Sequence, residues 1–188
     1  MAENHGDKTM ADRIFGSWLK RQHQEAMDLA SNSDILRLRP LGGSAPQLYI
    51  ATYLANGLVK APNGAILVAN RFDVGIALHD GYLRHVEPAQ VLSYLGPHQN
   101  PWHPNIRPPF MCLTLYPGTP LVDILFACYE LLTFRLYYTG DEGLNHAASQ
   151  WVRHQDPSRF PTDPRPLKWR DPGRSPGLVE AAKDGGRP

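Results

Sequence analysis

The chain has 188 residues, 42% of them hydrophobic and 20% charged, with 18 prolines and 16 glycines. That is apolar material for one core, and the length fits one domain with extensions rather than two full domains. Nineteen basic against eighteen acidic side chains leave a formal charge of +1, which argues against a nucleic-acid or membrane-surface protein driven by charge.

Residues 1–10 read as a loose polar leader. Met1 to Lys8 has no apolar stretch of the kind a secretory signal needs. No apolar run approaches the ~20 residues of a membrane span, and the uncharged stretch Pro108 to Val122 is broken by Pro117, Gly118 and Pro120. Two cysteines, Cys112 and Cys128, make no disulfide framework, so reduced thiols in a cytoplasmic protein are the simplest expectation.

From Asp12, a reasonable N-cap, Ile14, Phe15, Trp18, Leu19, Ala26 and Leu29 recur at helical spacing, and Ser31-Asn32-Ser33 marks a stop. Four segments with strand character follow: Ile35 to Arg39, Leu48 to Leu54, Phe72 to Leu78 and Val91 to Leu95. Gly42-Gly43, Asn56-Gly57, Asp80-Gly81 and Gly96-Pro97 separate or end them, and short connections predict an antiparallel meander. Periodicity does not decide whether Val59 to Ala69 extends a strand or forms a loop.

Gly96 to Pro109 carries five prolines in fourteen residues, which excludes a helix or a central strand there. Long irregular loops in compact domains tend to be functional, and Cys112 lies at the far end of this one. Leu121 to Phe134 reads as a buried helix. Asp141-Glu142-Gly143 is expected to open another, with Leu144, Ala147, Ala148, Trp151 and Val152 on its apolar face. From Asp156 to Pro188 seven prolines in 33 residues and little apolar periodicity suggest an irregular tail. The expected organisation is a leader over 1–10, a domain over 11–160 and a Pro/Gly-rich tail over 161–188. Its fold class is α/β (α+β): an N-terminal helix, a four-stranded antiparallel meander, an active-site loop and two C-terminal helices.

Cys112 is the candidate nucleophile. A thiol attacks as the thiolate, which needs partial exposure and an environment that favours the anion. The plain alternative is an inert buried thiol, since Phe110-Met111 and Leu113 flank it. Cys128 sits at a core position among leucines and is expected to be a small hydrophobe. Upstream of Cys112-Leu113 stands His103-Pro104-Asn105-Ile106.

This set resembles the ubiquitin-conjugating enzymes, in which a His-Pro-Asn-Ile signature precedes a Cys-Leu pair. Pro88-Ala89-Gln90-Val91 matches that family's proline-led entry into its fourth strand. Leu121-Val122-Asp123-Ile124-Leu125 with Leu131-Leu132 matches the helix after the cysteine, and Asp141 to Ala148 is similar to the opening of the next helix. The resemblance runs over roughly residues 12–160 and implies the family's fold and chemistry. Cys112 would carry the C-terminus of a ubiquitin-like protein as a thioester, received from an activating enzyme and passed to a lysine of a target protein. Asn105 matches the active-site asparagine that orients the loop and stabilises the oxyanion; a turn residue between prolines is the plain alternative. His103 matches a position thought mainly structural. Only about one lysine in 10³ is neutral at pH 7, so a carboxylate at the site would help. Glu142 or Asp141 falls at the matching place, where helix-terminus charge complementarity explains either equally well.

Tyr116 to Pro120 replaces the family's tryptophan-proline element, and Thr114 stands where the family has aspartate. These departures point to the divergent bacterial members, found in operons with an activating enzyme, a ubiquitin-like protein and a metalloprotease, several linked to phage defence. No metal, small cofactor, nucleic acid or membrane partner is expected. A zinc site from His98, His103 and Cys112 lacks a fourth ligand and a fitting spacing. Lysine occurs only at 8, 20, 60, 168 and 183, which would keep amines away from a thioester; a codon bias toward arginine explains it as well. Trp102 reads as a partner anchor or a lid, Trp151 as core packing. Two other readings stay open: a non-catalytic module of the same fold that binds a ubiquitin-like protein, and a cysteine hydrolase built on Cys112, His103 and Asn105.

Overall fold

The computed structural model describes residues 5–97, 100–140 and 143–167, with side chains from residue 13 onward. Helix α1, His5–Ser31, starts earlier than the Asp12 cap predicted. Phe15, Leu19, Gln22, Ala26 and Leu29 form its buried stripe, at alternating spacings of four and three. Ile14 falls off that stripe and is exposed.

The four expected strands are present as β1 (Leu36–Leu41), β2 (Leu48–Tyr53), β5 (Phe72–Ala77) and β6 (Leu92–Gly96), in the sheet order β1-β2-β5-β6 with every pair antiparallel. Pro40 is tolerated in β1 because that strand is the sheet's edge, where a missing donor costs no ladder bond. A one-turn helix, α2 (Pro88–Val91), precedes β6 with proline at its first position.

The undecided segment proves to be a hairpin, β3 (Gly57–Lys60) and β4 (Ile66–Ala69). It builds a second sheet, β4-β3-β7, whose third strand is the two-residue β7 (Asn100–Pro101). Gly57 is needed at the entry: a Cβ there would lie 2.6 Å from the Phe72 ring and 2.7 Å from the Leu132 carbonyl. A third, two-stranded sheet joins β8 (Ile106–Arg107) to β9 (Phe110–Met111).

Inward residues of the first sheet, Leu36, Tyr49, Ala51, Tyr53, Phe72, Val74, Ile76 and Leu92, share one core with α1 and with α3, Leu121–Leu132. The Tyr53 hydroxyl donates to the Leu125 carbonyl at 2.9 Å, tying sheet to helix. Pro120 precedes α3 and offers no side-chain cap. The buried Gln22 of α1 supplies one from 99 residues away: its Oε1 accepts the Leu121 N–H at 2.8 Å. A smaller cluster, Leu58, Trp102, Phe134, Ala148 and Val152, lies under the proline-rich loop.

The last helix, α4, spans His146–Arg153 and opens later than expected. Asn145 sets the start, because its side chain accepts the Ala148 N–H and so terminates the preceding loop. Chain expected to leave the domain after residue 160 stays on it through Leu167. Asp163 is fully buried, accepts from the Asn56 N–H at 2.9 Å and pairs with Arg165 at 2.6 Å. Leu167 joins the main core, and its carbonyl accepts from the Ser33 hydroxyl. Among the described residues no helix is long and apolar enough to cross a membrane.

Replacing Gln22 by alanine leaves the first N–H of α3 buried without a partner. The expected loss is about 1–3 kcal/mol in urea unfolding, with the fold retained.

Candidate active site

The proline-rich loop is held at both ends by backbone bonds. On one side β7 pairs with β3, Val59 opposite Pro101, and the Trp102 N–H donates to the Leu58 carbonyl at 2.8 Å. On the other, the Tyr94 N–H of β6 donates to the Pro109 carbonyl at 2.8 Å. The loop thus spans the gap between the first and second sheets.

Its far half is the β8–β9 hairpin, with Ile106 opposite Met111 and Arg107 opposite Phe110. The ladder continues one step further, because the Cys112 N–H donates to the Asn105 carbonyl at 2.8 Å. Asn105 and Cys112 are therefore the next opposed pair. Opposed residues of an antiparallel ladder carry their Cβ atoms on one face, about 4.5–5.5 Å apart.

Cys112 opens an extended run in which burial alternates. Met111, Leu113 and Leu115 are buried; Cys112 and Thr114 are half-buried and Tyr116 is exposed. The three apolar side chains take the core face and turn the thiol outward. Thr114 shares the outward set with Cys112. The connection to α3 is pinned from beneath: the Tyr82 hydroxyl donates to the Thr119 carbonyl at 2.9 Å, and the Gly118 N–H donates to the Tyr82 carbonyl. Gly118 has a φ of +76°, a conformation glycine adopts without steric cost.

Asn105 is buried, yet its groups are shared among three partners. Its side-chain Oδ1 accepts the Tyr138 N–H at 2.8 Å, fixing the loop that leaves α3. Its own N–H donates to His103 Nδ1 at 3.0 Å. The neighbouring Pro104 carbonyl accepts the Asn145 N–H at 2.9 Å, which ties the cap of α4 to the same loop. With Oδ1 engaged, the side-chain NH₂ is the group left to act as a donor.

His103 lies against Phe134 with ring centroids 4.3 Å apart. Burial drives its pKa down to about 3, partly offset by the backbone at Leu136. Nε2 has no hydrogen-bond partner of good geometry, and Nδ1 is taken by Asn105. Neither ring nitrogen bonds to the Cys112 sulfur, so the imidazole is a packed, neutral part of the loop. Burial also pushes the Cys112 thiol above its ordinary value. Cys128 is sealed in the core, and burial, opposed by a bond to Tyr53, moves it up to about 12.

Trp102 is buried rather than lid-like, edge-on to Trp151 at 6.3 Å, with the Lys60 ammonium 4.7 Å from its ring centroid. Lys60 is thus the lysine that the hairpin brings to this loop. Asp141, Glu142 and His98 lie outside the described residues. Their neighbour Gly143 precedes α4 and donates to the Gly140 carbonyl, with no room for a Cβ beside the Ser149 hydroxyl. Among the described residues no cluster of three or more His, Cys, Asp or Glu side chains is placed to hold a metal ion. Comparison with protein-family models, with characterised proteins and with solved structures gave no match.

Sequence reasoning missed Tyr138, Tyr82 and Phe134 as supports of the site. Two of them act partly or wholly through backbone groups, which no residue type announces.

A thiol with a raised pKa holds less thiolate near neutral pH than a free one. Alkylation of Cys112 by iodoacetamide should therefore be slower than that of a small free thiol at about pH 7, and rise with pH to a midpoint above about 8.5. Mass spectrometry after peptide digestion separates it from Cys128, which should stay unmodified. For His103 the folded pKa lies below the unfolded value of about 6.5. Its contribution to stability is complete above about 6.5 and is lost as pH falls from there toward 3. Urea midpoints should decline through that window, and His103→Gln should decline less.

Proposed function

We propose that the chain is a ubiquitin-like-protein conjugating enzyme of the ubiquitin-conjugating fold, carrying the modifier's C-terminus as a thioester on Cys112. The observation that supports this most is the register of the hairpin. An outward-facing cysteine sits opposite an asparagine whose carbonyl holds the cysteine backbone and whose side chain holds the next loop. The element order fits the same reading: helix, four-stranded meander, loop, cysteine, two helices.

The chemistry is two acyl transfers. On loading, the Cys112 thiol gives up its proton, its sulfur attacks the carbonyl held on the activating enzyme's cysteine, and that thiolate leaves and is protonated. On discharge, a neutral lysine amine attacks the Cys112 thioester. The tetrahedral oxyanion collapses, the Cys112 thiolate departs, and the amide nitrogen loses a proton to solvent or a nearby carboxylate. The Asn105 NH₂ is the candidate donor to that oxyanion, a type of contact worth about 2.7–4 kcal/mol in other enzymes. Asp141 or Glu142 is the candidate for positioning the amine. His103 serves by packing. The raised thiol pKa fits a resting enzyme that reacts only when a partner or base draws the proton away.

The hydrolase reading needs a base at the sulfur, and burial leaves His103 a weak one, its pKa down at about 3, with Nδ1 committed to Asn105 and no bond to the Cys112 sulfur. No particular observation favours the binding-module reading over a carrier. The setting that fits is a bacterial conjugation pathway of the antiphage kind, with an activating enzyme and a ubiquitin-like protein as partners.

The test combines the protein with ATP and the products of its neighbouring genes, among which the reading expects an activating enzyme and a ubiquitin-like protein, on a non-reducing gel. A thiol-sensitive adduct is expected with the native chain, a thiol-resistant ester with Cys112→Ser, and no adduct with Cys112→Ala. Asn105→Ala should load but discharge to lysine about 10²–10³-fold more slowly. Biological activity undiminished in Cys112→Ala would replace the carrier reading with the binding module.

A further inference from the structure

β4 is the outermost strand of the β4-β3-β7 sheet. Leu67 and Val68 are 49% and 64% exposed. From Asn63 to Asn70 the hairpin carries no charge and no proline. Soluble sheets protect such an edge with a lysine, a proline, a bulge or a covering segment. Among the described residues β4 has none of these, and its pairing with β3 is regular.

The turn fixes which backbone groups are free. The Ala61 N–H donates to the Ala65 carbonyl at 2.9 Å, so 61 with 65 is a hydrogen-bonded pair. Such pairs alternate along an antiparallel ladder, which makes 59 with 67 the next and 57 with 69 the one after. The opposite side of β3 agrees, since the Leu58 carbonyl points away from β4 to the Trp102 N–H. The peptide groups of Ile66 and Val68 therefore face outward.

We propose that β4 is a homodimer edge, where two copies pair antiparallel about a two-fold axis at Leu67 and join their three-stranded sheets into one of six. The free groups suit an antiparallel strand, and a second copy of β4 supplies one with matching outward groups. With the axis at Leu67, Ile66 of each copy opposes the partner's Val68, and both are outward-facing residues. All their N–H and C=O groups are then satisfied in two hydrogen-bonded pairs. Leu67 meets the partner's Leu67 between them, in the closer non-hydrogen-bonded position. The flanking pairs set Ala65 against Ala69, small enough not to collide. An uncharged strip meets its own copy without repulsion and gives no handle for selecting a charged partner. A two-fold pairing is also self-limiting, because each copy uses its edge once. This inference stands independently of the thioester reading.

Sedimentation of the full chain over a concentration series tests it. The native protein should move from 21.0 kDa toward twice that mass as concentration rises. Val68→Pro removes an outward donor and no bond to β3, and Val68→Lys adds a charge; both should stay monomeric with unchanged near-UV circular dichroism. In a Cys112→Ser background, Leu67→Cys should form a disulfide dimer under mild oxidation, because opposed non-hydrogen-bonded residues have Cα atoms about 4.5 Å apart. Leu48→Cys, an exposed position away from this edge, should not. A native chain that stays monomeric throughout, a dimer that persists in Val68→Lys, or cross-linking at Leu48→Cys as fast as at Leu67→Cys would each overturn the proposal. The first result would leave an extended segment of another protein as the occupant.

Discussion

Asn105 is the residue on which the loop's geometry depends. Its backbone carbonyl holds the Cys112 N–H, its side-chain oxygen holds the Tyr138 N–H, and its N–H rests on His103. Each is an ordinary hydrogen bond. Together they join the hairpin, the loop after α3 and the buried imidazole at one point. In a dry site, leaving any of these polar groups unmatched costs about 1–3 kcal/mol, so the arrangement is strongly preferred over alternatives with one bond broken.

The rest of the fold serves to put that point at the surface. The first sheet and α3 make a core broad enough to bury Met111, Leu113 and Leu115, which turns Cys112 outward. The second sheet takes the loop's entry at Trp102, β6 takes its turn at Pro109, and Tyr82 fixes the return to α3. A proline-rich stretch that cannot form its own helix or central strand is held instead by single backbone bonds to elements on each side. His103 contributes shape and packing, and burial keeps it uncharged. The thiol gains no electrostatic activation from its described neighbours, which suits the proposed carrier better than a hydrolase that must act unaided.

Much of this was legible in the chain. The four main strands stood out because β-branched and aromatic residues alternate between strong turn signals, and α3 because an apolar face recurs with only two charges. The prominence of Cys112 was legible through its place after His103-Pro104-Asn105, while the Met-Cys-Leu-Thr-Leu-Tyr alternation explains its exposure. The β3–β4 hairpin was not, since Val59 to Ala69 has a short apolar run whose pairing depends on a partner, Pro101, some forty residues away. The start of α4 shifted because an asparagine cap outweighed an acidic run followed by glycine. The strap over 161–167 looked like tail because its anchors, Asp163 and Leu167, are isolated in a polar, proline-rich stretch. Gln22 shows the same limit: a polar residue on a buried helical stripe makes sense only once the N-terminus of α3 is seen beside it.

The most direct test of the central arrangement is amide hydrogen exchange in the native protein and in Asn105→Ala. The substitution keeps the backbone carbonyl and removes the side-chain oxygen. The Tyr138 amide should lose protection by at least tenfold while the Cys112 amide keeps it, since the two bonds use different groups of one residue. Equal protection of Tyr138 in both proteins would contradict the account, because Asn105 would then not be what holds that loop to the cysteine.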